Sequence, residues 1–170
     1  LDSTGKYAGL NLDASGNLKV SGSLVVTDAA STNLAVVGQG KVLYYFRPTQ
    51  ASNWVFKDQL TVLSTQNVVE PNTALIATNG SFGDAIAMSA DGTYLVIGAP
   101  RADRPSNNLP NAGYAALYKR NDNGYYIFVK EIFAKNNQGN DWPVEEDYFG
   151  TFIKFAGNRI VIASTGSDTN

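Results

Sequence analysis

Short stretches in which apolar and polar residues alternate recur along the chain, and turn-forming residues separate them. The clearest case is Phe82–Pro100, where apolar runs at 85–88 and 94–97 flank the dipeptide Asp91-Gly92. An Asp-Gly pair between two apolar runs favours a hairpin turn, because glycine tolerates the positive φ that such a turn needs. This pattern predicts a β-hairpin over Phe82–Pro100.

A second hairpin is predicted at Tyr7–Ser23, where leucine and valine alternate with polar residues on both sides of Ser15-Gly16. When Leu10 is aligned with Ile86, the apolar positions of this hairpin coincide with those of the Phe82–Pro100 hairpin. Two further short strands, Leu24–Thr27 and Leu34–Val37, are predicted around the turn-rich segment Asp28–Asn33.

Two pairs of segments farther along the chain are similar in sequence, and their members follow one another in the same order. Gly40–Arg47 matches Gly113–Arg120, and Trp54–Leu60 matches Tyr126–Ile132 at almost the same spacing. Turn-forming residues lie between the first and second segment in each of the two copies. The chain therefore contains an imperfect repeat whose unit is a set of short strands.

The motifs at both ends of the first hairpin resemble a known repeat. Phe82-Gly83 and Gly98-Ala99-Pro100 resemble the two halves of an FG-GAP repeat, the blade unit of β-propellers such as the integrin α-subunit head. Gly113–Tyr118 and Tyr125–Ile132 are similar to the third and fourth strands of that unit, and Phe149-Gly150 opens a further one.

The resemblance implies an all-β fold, a β-propeller segment of four-stranded antiparallel blades with about two and a half FG-GAP-like units. We divide the chain into 1–40, a degenerate first blade half or β-hairpin stem; 41–81, the outer strands of the first blade plus a linker; 82–147, a complete blade; and 148–170, the first hairpin of the next blade. Because a propeller closes with about 4 to 8 blades, we expect a fragment of a larger protein, or several chains completing one ring. The core is expected to include Phe82, Ile86, Met88, Val96, Ile97, Leu117 and Phe149.

The segment 16–27, Gly-Asn-Leu-Lys-Val-Ser-Gly-Ser-Leu-Val-Val-Thr, supports a competing interpretation. It resembles the short repeats in the stems of phage and large-virus fibre proteins. That resemblance implies a trimeric fibre or another structural component of a virion. Alternating small and β-branched residues would equally suit an edge hairpin.

Composition removes several classes of chemistry. With 13 basic and 15 acidic residues the formal charge is −2, so we expect neither nucleic acid nor an anionic membrane surface as a partner. No apolar run approaches the roughly 18 residues of a membrane span, so no membrane insertion is expected. The chain has no cysteine and no histidine, which excludes a disulfide, a Ser-His-Asp triad and a histidine-ligated zinc ion within it.

The loop that follows Gly98-Ala99-Pro100 is the candidate partner-contact surface, because rim loops of propellers commonly bind partners and loops often carry function. Its candidate residues are Arg101, Asp103, Arg104, Asn107, Asn108 and Asn111. A set of aromatic residues could stack on sugar rings, although strand alternation would bury about half of it. This set is Tyr44, Tyr45, Phe46, Trp54, Phe56, Tyr114, Tyr118, Tyr125, Tyr126 and Phe128.

Glu145-Glu146-Asp147 is the one acidic cluster, which fits either a calcium site or a solvated loop. Calcium-binding integrin-type repeats carry an Asp-x-Asp-x-Asp-Gly loop, and the corresponding Met88–Gly92, Ser15-Gly16 and Gly157-Asn158 lack those ligands. No cofactor is therefore expected here, and calcium in a longer parent protein stays open. Asn79-Gly80-Ser81 is a glycosylation sequon if the protein is secreted, and an Asn-Gly turn explains it equally.

Three functions remain. The first is a non-enzymatic structural or adhesion module of an extracellular, cell-surface or virion-surface protein, contacting a protein or glycan, other blades or other subunits. The second is the trimeric fibre component. The third is a fragment of a carbohydrate-active enzyme, which would need two carboxylates about 5 to 10 Å apart. Its candidate carboxylates are Asp84, Asp91, Asp103, Glu145 and Asp147.

Overall fold

The computed structural model describes residues 10–12, 18–20, 24–38, 41–60, 81–103, 109–136 and 138–166. Regular structure within these residues consists of twelve β-strands, which confirms the all-β class. The strands are β1 (Leu10–Leu12), β2 (Leu18–Val20), β3 (Val25–Thr27), β4 (Asn33–Gly38), β5 (Lys41–Phe46), β6 (Val55–Leu60), β7 (Ile86–Met88), β8 (Tyr94–Ala99), β9 (Tyr114–Arg120), β10 (Tyr126–Ile132), β11 (Phe152–Ala156) and β12 (Arg159–Ala163).

The strands form two four-stranded sheets and two separate hairpins. The first sheet has the order β3-β4-β5-β6 and the second the order β7-β8-β9-β10, so each is an antiparallel meander of strands that follow one another in the chain. β1 pairs with β2, and β11 pairs with β12. The described sheets do not close into a barrel or a propeller.

Both predicted hairpins form strand pairs. β7 and β8 flank a loop closed by Ser89 and Tyr94, in which Gly92 has a φ of +67°. The carboxylate of Asp91 accepts hydrogen bonds from Ser89 Oγ at 2.6 Å and from the amide of Thr93 at 3.0 Å, which fixes the turn. In the other hairpin, Leu12 pairs with Leu18 across β1 and β2, while the predicted turn at 15–16 lies outside the described residues.

The outer strands of the two large sheets occupy equivalent positions, whereas the hairpin aligned with the inner strands lies apart. β5 and β9 are each the third strand of a sheet, and β6 and β10 are each the fourth, as their similarity predicts. The first two strands of the first sheet, however, are β3 and β4, and the hairpin within Tyr7–Ser23 lies in a sheet of its own. β4 pairs with β5 up to Gly38 and Lys41, so the strands that directly precede β5 in the chain form the inner half of the first sheet.

The backbone repeats closely around the two Phe-Gly pairs. Gly83 has a φ of +101° and Gly150 of +96°, and two residues earlier Ser81 and Tyr148 have φ values of +57° and +52°. In both turns the carbonyl of that earlier residue accepts a backbone hydrogen bond from three residues later. These matching conformations show that the two Phe-Gly segments are structurally equivalent.

The second sheet is buried on both faces, because successive side chains of a strand point to opposite sides. Large side chains of the face towards the first sheet include Ile86, Met88, Leu95, Ile97, Tyr118 and Tyr126. The other face carries smaller side chains, Ala85, Ala87, Val96 and Ala115, and packs against β11 and β12 through Ile153, Phe155, Ile160 and Ile162. The three sheets are therefore stacked in chain order.

Five of the seven predicted core residues, Phe82, Ile86, Met88, Val96 and Ile97, are buried. Leu117 is half-buried against the cluster between the second sheet and the β11–β12 hairpin, and Phe149 is half-buried as well.

Candidate partner-contact loops

Two long loops leave the same end of the second sheet. Strands of a meander alternate in direction, so the loop between β8 and β9 (100–113) and the connection between β10 and β11 (133–151) both follow a strand that ends on that side. The turns between β7 and β8 and between β9 and β10 lie at the opposite end. The structure thus divides its loops into two groups.

The 100–113 loop is fixed to the sheet at both of its ends. Ala102 is buried; its amide donates to the carbonyl of Ala99 at 3.1 Å, and its own carbonyl accepts from Gly113 at 3.0 Å. Asp103 accepts a hydrogen bond from the amide of Asn111 at 3.0 Å and is exposed. Of the predicted contact residues, Arg101 and Asp103 are exposed and Asn111 is half-buried; Arg104, Asn107 and Asn108 lie outside the described residues.

The 133–151 connection begins with a small arm, residues 134–142, whose ends are paired. The amide of Trp142 donates to the carbonyl of Ala134 at 2.7 Å, and Lys135 forms a salt bridge with Asp141 at 2.8 Å. The side chain of Asn136 accepts from the amide of Asn140 and closes the tip. The arm ends in Trp142, whose side chain is 60% exposed.

The two loops run side by side and form one surface. The carbonyls of Pro110 and Asn111 accept hydrogen bonds from the amides of Glu146 and Tyr148, each at 3.0 Å. Ala112 accepts from Phe149 at 3.2 Å, and the bridge between Gly113 and Phe149 is parallel. The sequence pattern does not single out Trp142, although the alternating directions of the four strands place both long loops at this end.

The acidic cluster is not a single group of converging carboxylates. Asp147 is buried, and its carboxylate accepts from the amide of Val144 at 3.3 Å, whereas Glu145 and Glu146 are exposed. Among the described residues, no three or more carboxylates are placed so that they could hold a metal ion. Glu146 has a φ of +60°, held by its bond to Pro110.

Asp91, a carboxylate considered for catalysis, lies at the other end of the second sheet. Hydrogen bonds from Ser89 and Thr93 lower the pKa of its carboxyl to about 2, against a small opposing effect of burial. It therefore stays ionised near neutral pH and serves the turn in which it lies.

The predicted aromatic set is spread over the core and the surface. Five members are buried, namely Tyr44, Tyr45, Tyr114, Tyr118 and Tyr126. Phe46, Trp54 and Phe128 are half-buried, while Phe56 and Tyr125 are exposed. The guanidinium of Arg47 lies 4.3 Å from the centroid of Trp54 and occupies that ring face. The set does not make one sugar-binding platform.

The candidate glycosylation sequon lies mostly outside the residues that the structure describes. Its acceptor Asn79 and the following Gly80 lie outside the described residues. Ser81, the third residue of the sequon, begins the first Phe-Gly turn with a φ of +57°.

A buried polar cluster that the sequence pattern did not reveal joins the first two sheets. The carboxylate of Asp28 accepts from the amide and hydroxyl of Thr32 at 2.7 and 2.9 Å and from the amide and side chain of Asn33 at 3.0 and 2.7 Å. Burial acts to raise the pKa of Asp28, but these hydrogen bonds outweigh it and hold that pKa below its usual value. Tyr44 Oη donates to Asn33 Oδ1 at 2.6 Å.

The second sheet reaches the same cluster through its first turn. A Cβ atom built on Gly92 would lie 2.6 Å from the side-chain nitrogen of Asn33, and the amide of Ala29 donates to the carbonyl of Ala90 at 2.8 Å. Because the side chains of Asp28 and Asn33 are buried and hydrogen-bonded within the fold, this cluster stabilises the sheet stack. It lies at the end away from the two long loops.

The described residues include no helix of the length and apolar character needed to cross a membrane. A comparison with known protein families finds none that matches this chain, and a comparison with functionally characterised proteins finds no significant relative.

Proposed function

We propose that this chain is a non-enzymatic structural or adhesion module of an extracellular or virion-surface protein, which contacts a protein or a glycan through the 100–113 and 133–151 loops. The main support for this proposal is the exposed side chain of Trp142. Its indole is 60% exposed although the backbone on both sides of it is fixed by hydrogen bonds. An exposed indole on a hydrogen-bonded stretch of backbone is a feature of binding surfaces, because tryptophan combines a large apolar area with little side-chain freedom.

The fixed loops support binding on energetic grounds. A ligand that meets an ordered loop does not have to supply the entropy of ordering it, which otherwise reduces affinity. The carbonyls of Pro110, Asn111 and Ala112 hold the described part of the second loop by three backbone hydrogen bonds. Arg101 and Asp103 add exposed charge at the same end of the sheet.

The finer fold in this proposal is a segment of a propeller built from FG-GAP-like blades. Support comes from the two meanders of four strands, from the equivalent Phe-Gly turns and from the stacking of successive sheets in chain order. Each blade of a propeller buries its two faces against two neighbouring blades, as the second sheet does here. Glycine at 83 and 150 lets each turn approach the preceding sheet closely.

A glycan array probed with the purified chain tests the proposal directly, together with flow cytometry on cells that display protein and carbohydrate ligands. We expect Trp142→Ala to reduce the binding signal at least tenfold. Trp54→Phe is the matched control, because Arg47 already covers that ring, and it should bind as the wild type does. It also leaves Trp142 as the sole tryptophan, so that its fluorescence reports the ligand.

Equal binding by Trp142→Ala and the wild type would show that the contact surface lies elsewhere. Release of free sugar from an array ligand would instead favour the carbohydrate-active enzyme. Binding lost in Trp54→Phe and kept in Trp142→Ala would move the site to the first sheet.

A further inference from the structure

The turn between β9 and β10 carries the dipeptide Asn123-Gly124 at the surface of the second sheet. Asn121, Asp122 and Asn123 are exposed, and Gly124 is half-buried with a φ of +82°. In the part of the chain that the structure describes, the side chain of Asn123 has no hydrogen-bond partner. A Cβ atom built on Gly124 would have no atom within 4 Å, so the surroundings of this glycine are open.

An asparagine followed by glycine can react with its own backbone. The nitrogen of Gly124 would form a bond to Cγ of Asn123, and the bond from Cγ to Nδ2 would break. The side-chain nitrogen leaves as ammonia with the proton that the Gly124 amide gives up, and a five-membered imide remains. Water then opens the imide at either carbonyl and gives aspartate or isoaspartate. Glycine favours this reaction because it has no Cβ atom to hinder the attack and its backbone has wide conformational freedom.

Two hydrogen bonds restrain the turn before the reaction can occur. The amide of Gly124 donates to the carbonyl of Asn121 at 2.9 Å, and the amide of Tyr125 donates to Asn121 Oδ1 at 2.9 Å. The attacking nitrogen becomes available when the first of these bonds opens. Because three residues of the turn are exposed, this opening is local and does not require the sheet to unfold.

The turn Asp91-Gly92, at the same end of the second sheet, shows what protection looks like. The carboxylate of Asp91 accepts hydrogen bonds from Ser89 and Thr93, which keep it ionised near neutral pH, and an ionised carboxylate is a poor electrophile. Gly92 is buried, and a Cβ atom on it would lie 2.6 Å from the side-chain nitrogen of Asn33. Both turns have glycine at a positive φ, but only Asn123 is an uncharged side chain without a bond of its own.

We propose that Asn123 is a modification site of the folded chain, where loss of the side-chain amide gives aspartate or isoaspartate. The product carries one more negative charge than the −2 of the unmodified chain and places a carboxylate next to Asp122. In isoaspartate the main chain passes through the former side chain and is one carbon longer, so the bond from Gly124 to Asn121 cannot keep its present geometry. The site lies at the end of the sheet away from the two long loops, so it is independent of the proposed contact surface.

The test follows the intact chain during several weeks at physiological temperature in neutral buffer. Trypsin cleaves after Arg120 and Lys130, so residues 121–130 form one peptide, separate from the peptide that contains Asn79-Gly80. Mass spectrometry should show conversion of an amide to an acid in this peptide, and its fragment ions should assign the change to Asn123. A methyltransferase specific for isoaspartate should label the same peptide.

Two variants test the mechanism. Gly124→Ala should slow the conversion about tenfold, because its Cβ atom hinders the attack. Asn121→Ala removes the acceptor of the Tyr125 amide and should speed the conversion severalfold, because the turn then opens more often. The internal control is Asn158, which is exposed in the turn between β11 and β12 but precedes Arg159, and it should keep its amide.

An Asn123 side chain that keeps its amide in the folded chain, while a synthetic peptide of residues 121–130 is converted, overturns the inference. It is also overturned if conversion occurs only in urea, or if Gly124→Ala reacts as fast as the wild type. Conversion of Asn158 at the same rate as Asn123 would show that exposure alone decides the reaction, and that result overturns the role assigned to the Asn-Gly turn.

Discussion

Tyr126 of the second sheet meets Tyr44 of the first sheet edge-on, with ring centroids 4.7 Å apart and planes at 78°. Each hydroxyl also donates a hydrogen bond: that of Tyr44 to Asn33 at 2.6 Å, and that of Tyr126 to the carbonyl of Gly92 at 2.7 Å. One aromatic pair therefore joins the apolar core between the sheets to the buried polar cluster around Asp28. Its hydroxyls satisfy buried acceptors at the junction of the two sheets.

Removing the Tyr126 hydroxyl should weaken the fold measurably. Tyr126→Phe keeps the ring contact with Tyr44 but leaves the carbonyl of Gly92 without its donor, which we expect to lower the free energy of unfolding by about 1 to 2 kcal/mol. Chemical denaturation followed by circular dichroism measures this. Tyr125→Phe, at the neighbouring exposed position, should change stability by less than about 0.5 kcal/mol. Equal effects of the two substitutions would contradict the role of this hydrogen bond.

The Phe-Gly turns should not tolerate a side chain at glycine. A Cβ atom on Gly150 would lie 2.5 Å from the carbonyl oxygen of Tyr114, and the backbone there has a φ of +96°. We expect Gly150→Ala to destabilise the fold by about 3 kcal/mol, since backbone must move and the conformation is strained. Gly124→Ala isolates the strain, because Gly124 has a φ of +82° with no atom within 4 Å of the added carbon. Its expected cost is about 1 kcal/mol, and thermal unfolding of both variants decides between them.

Acid should remove part of the stability through Asp28 and Asp91. Both pKa values are lower in the folded chain than the usual value near 3.8, that of Asp91 falling to about 2. A carboxyl whose pKa is lower in the folded than in the unfolded chain contributes fully to stability at pH values above its unfolded pKa. That contribution is lost as the pH falls through its folded pKa. We therefore expect the free energy of unfolding to fall between about pH 4 and pH 2, less steeply in Asp28→Asn.

The control for the acid series is Asp122→Asn, whose carboxylate lies in the exposed turn between β9 and β10. It should follow the wild type across the same pH range. A wild-type curve that is flat below pH 4 would rule out the stabilisation by these carboxylates.

At high pH the buried tyrosines should oppose folding. Burial raises the pKa of Tyr44 to about 12, despite the nearby positive charge of Arg120, and it raises the pKa values of Tyr114, Tyr118 and Tyr126 further. The folded chain favours the neutral phenols of these tyrosines. Their contribution to stability is therefore fully present below the pKa of about 10 that tyrosine has in the unfolded chain, and it declines as the pH rises above that value. Ultraviolet absorbance should show these four phenols ionising together with loss of the circular dichroism signal. Ionisation that precedes unfolding would contradict their burial.

Local patterns in the sequence sufficed for the elements whose partners are close in the chain. The hairpin around Asp91-Gly92 was predictable because glycine at a positive φ and a short carboxylate both act within a few residues. The similarity of β5 to β9 and of β6 to β10 indicated their common positions in two sheets. For the hairpin within Tyr7–Ser23 the pattern left two places open, the first blade and a separate stem, because alternation identifies a strand but carries no information on its partner.

The site was less accessible to the same reasoning. Trp142 stands among polar loop residues, at the end of an arm that is closed by the hydrogen bond from its amide to the carbonyl of Ala134. Asp28 lies in what the sequence shows as an ordinary turn, yet it is buried and Gly92 approaches it from another sheet. The placement of Trp142 and the burial of Asp28 involve backbone hydrogen bonds or contacts between segments distant in the chain, and neither can be recognised from the residue types alone.

The meander order of the two large sheets bears on how the molecule folds. Each strand pairs with the one made just before it, so the search for a partner closes only short loops, and short loops cost little entropy. A sheet can therefore be complete before the next one is synthesised. We therefore expect the Phe-Gly turns, which bring Gly150 onto the backbone of Tyr114, to join sheets that have already formed.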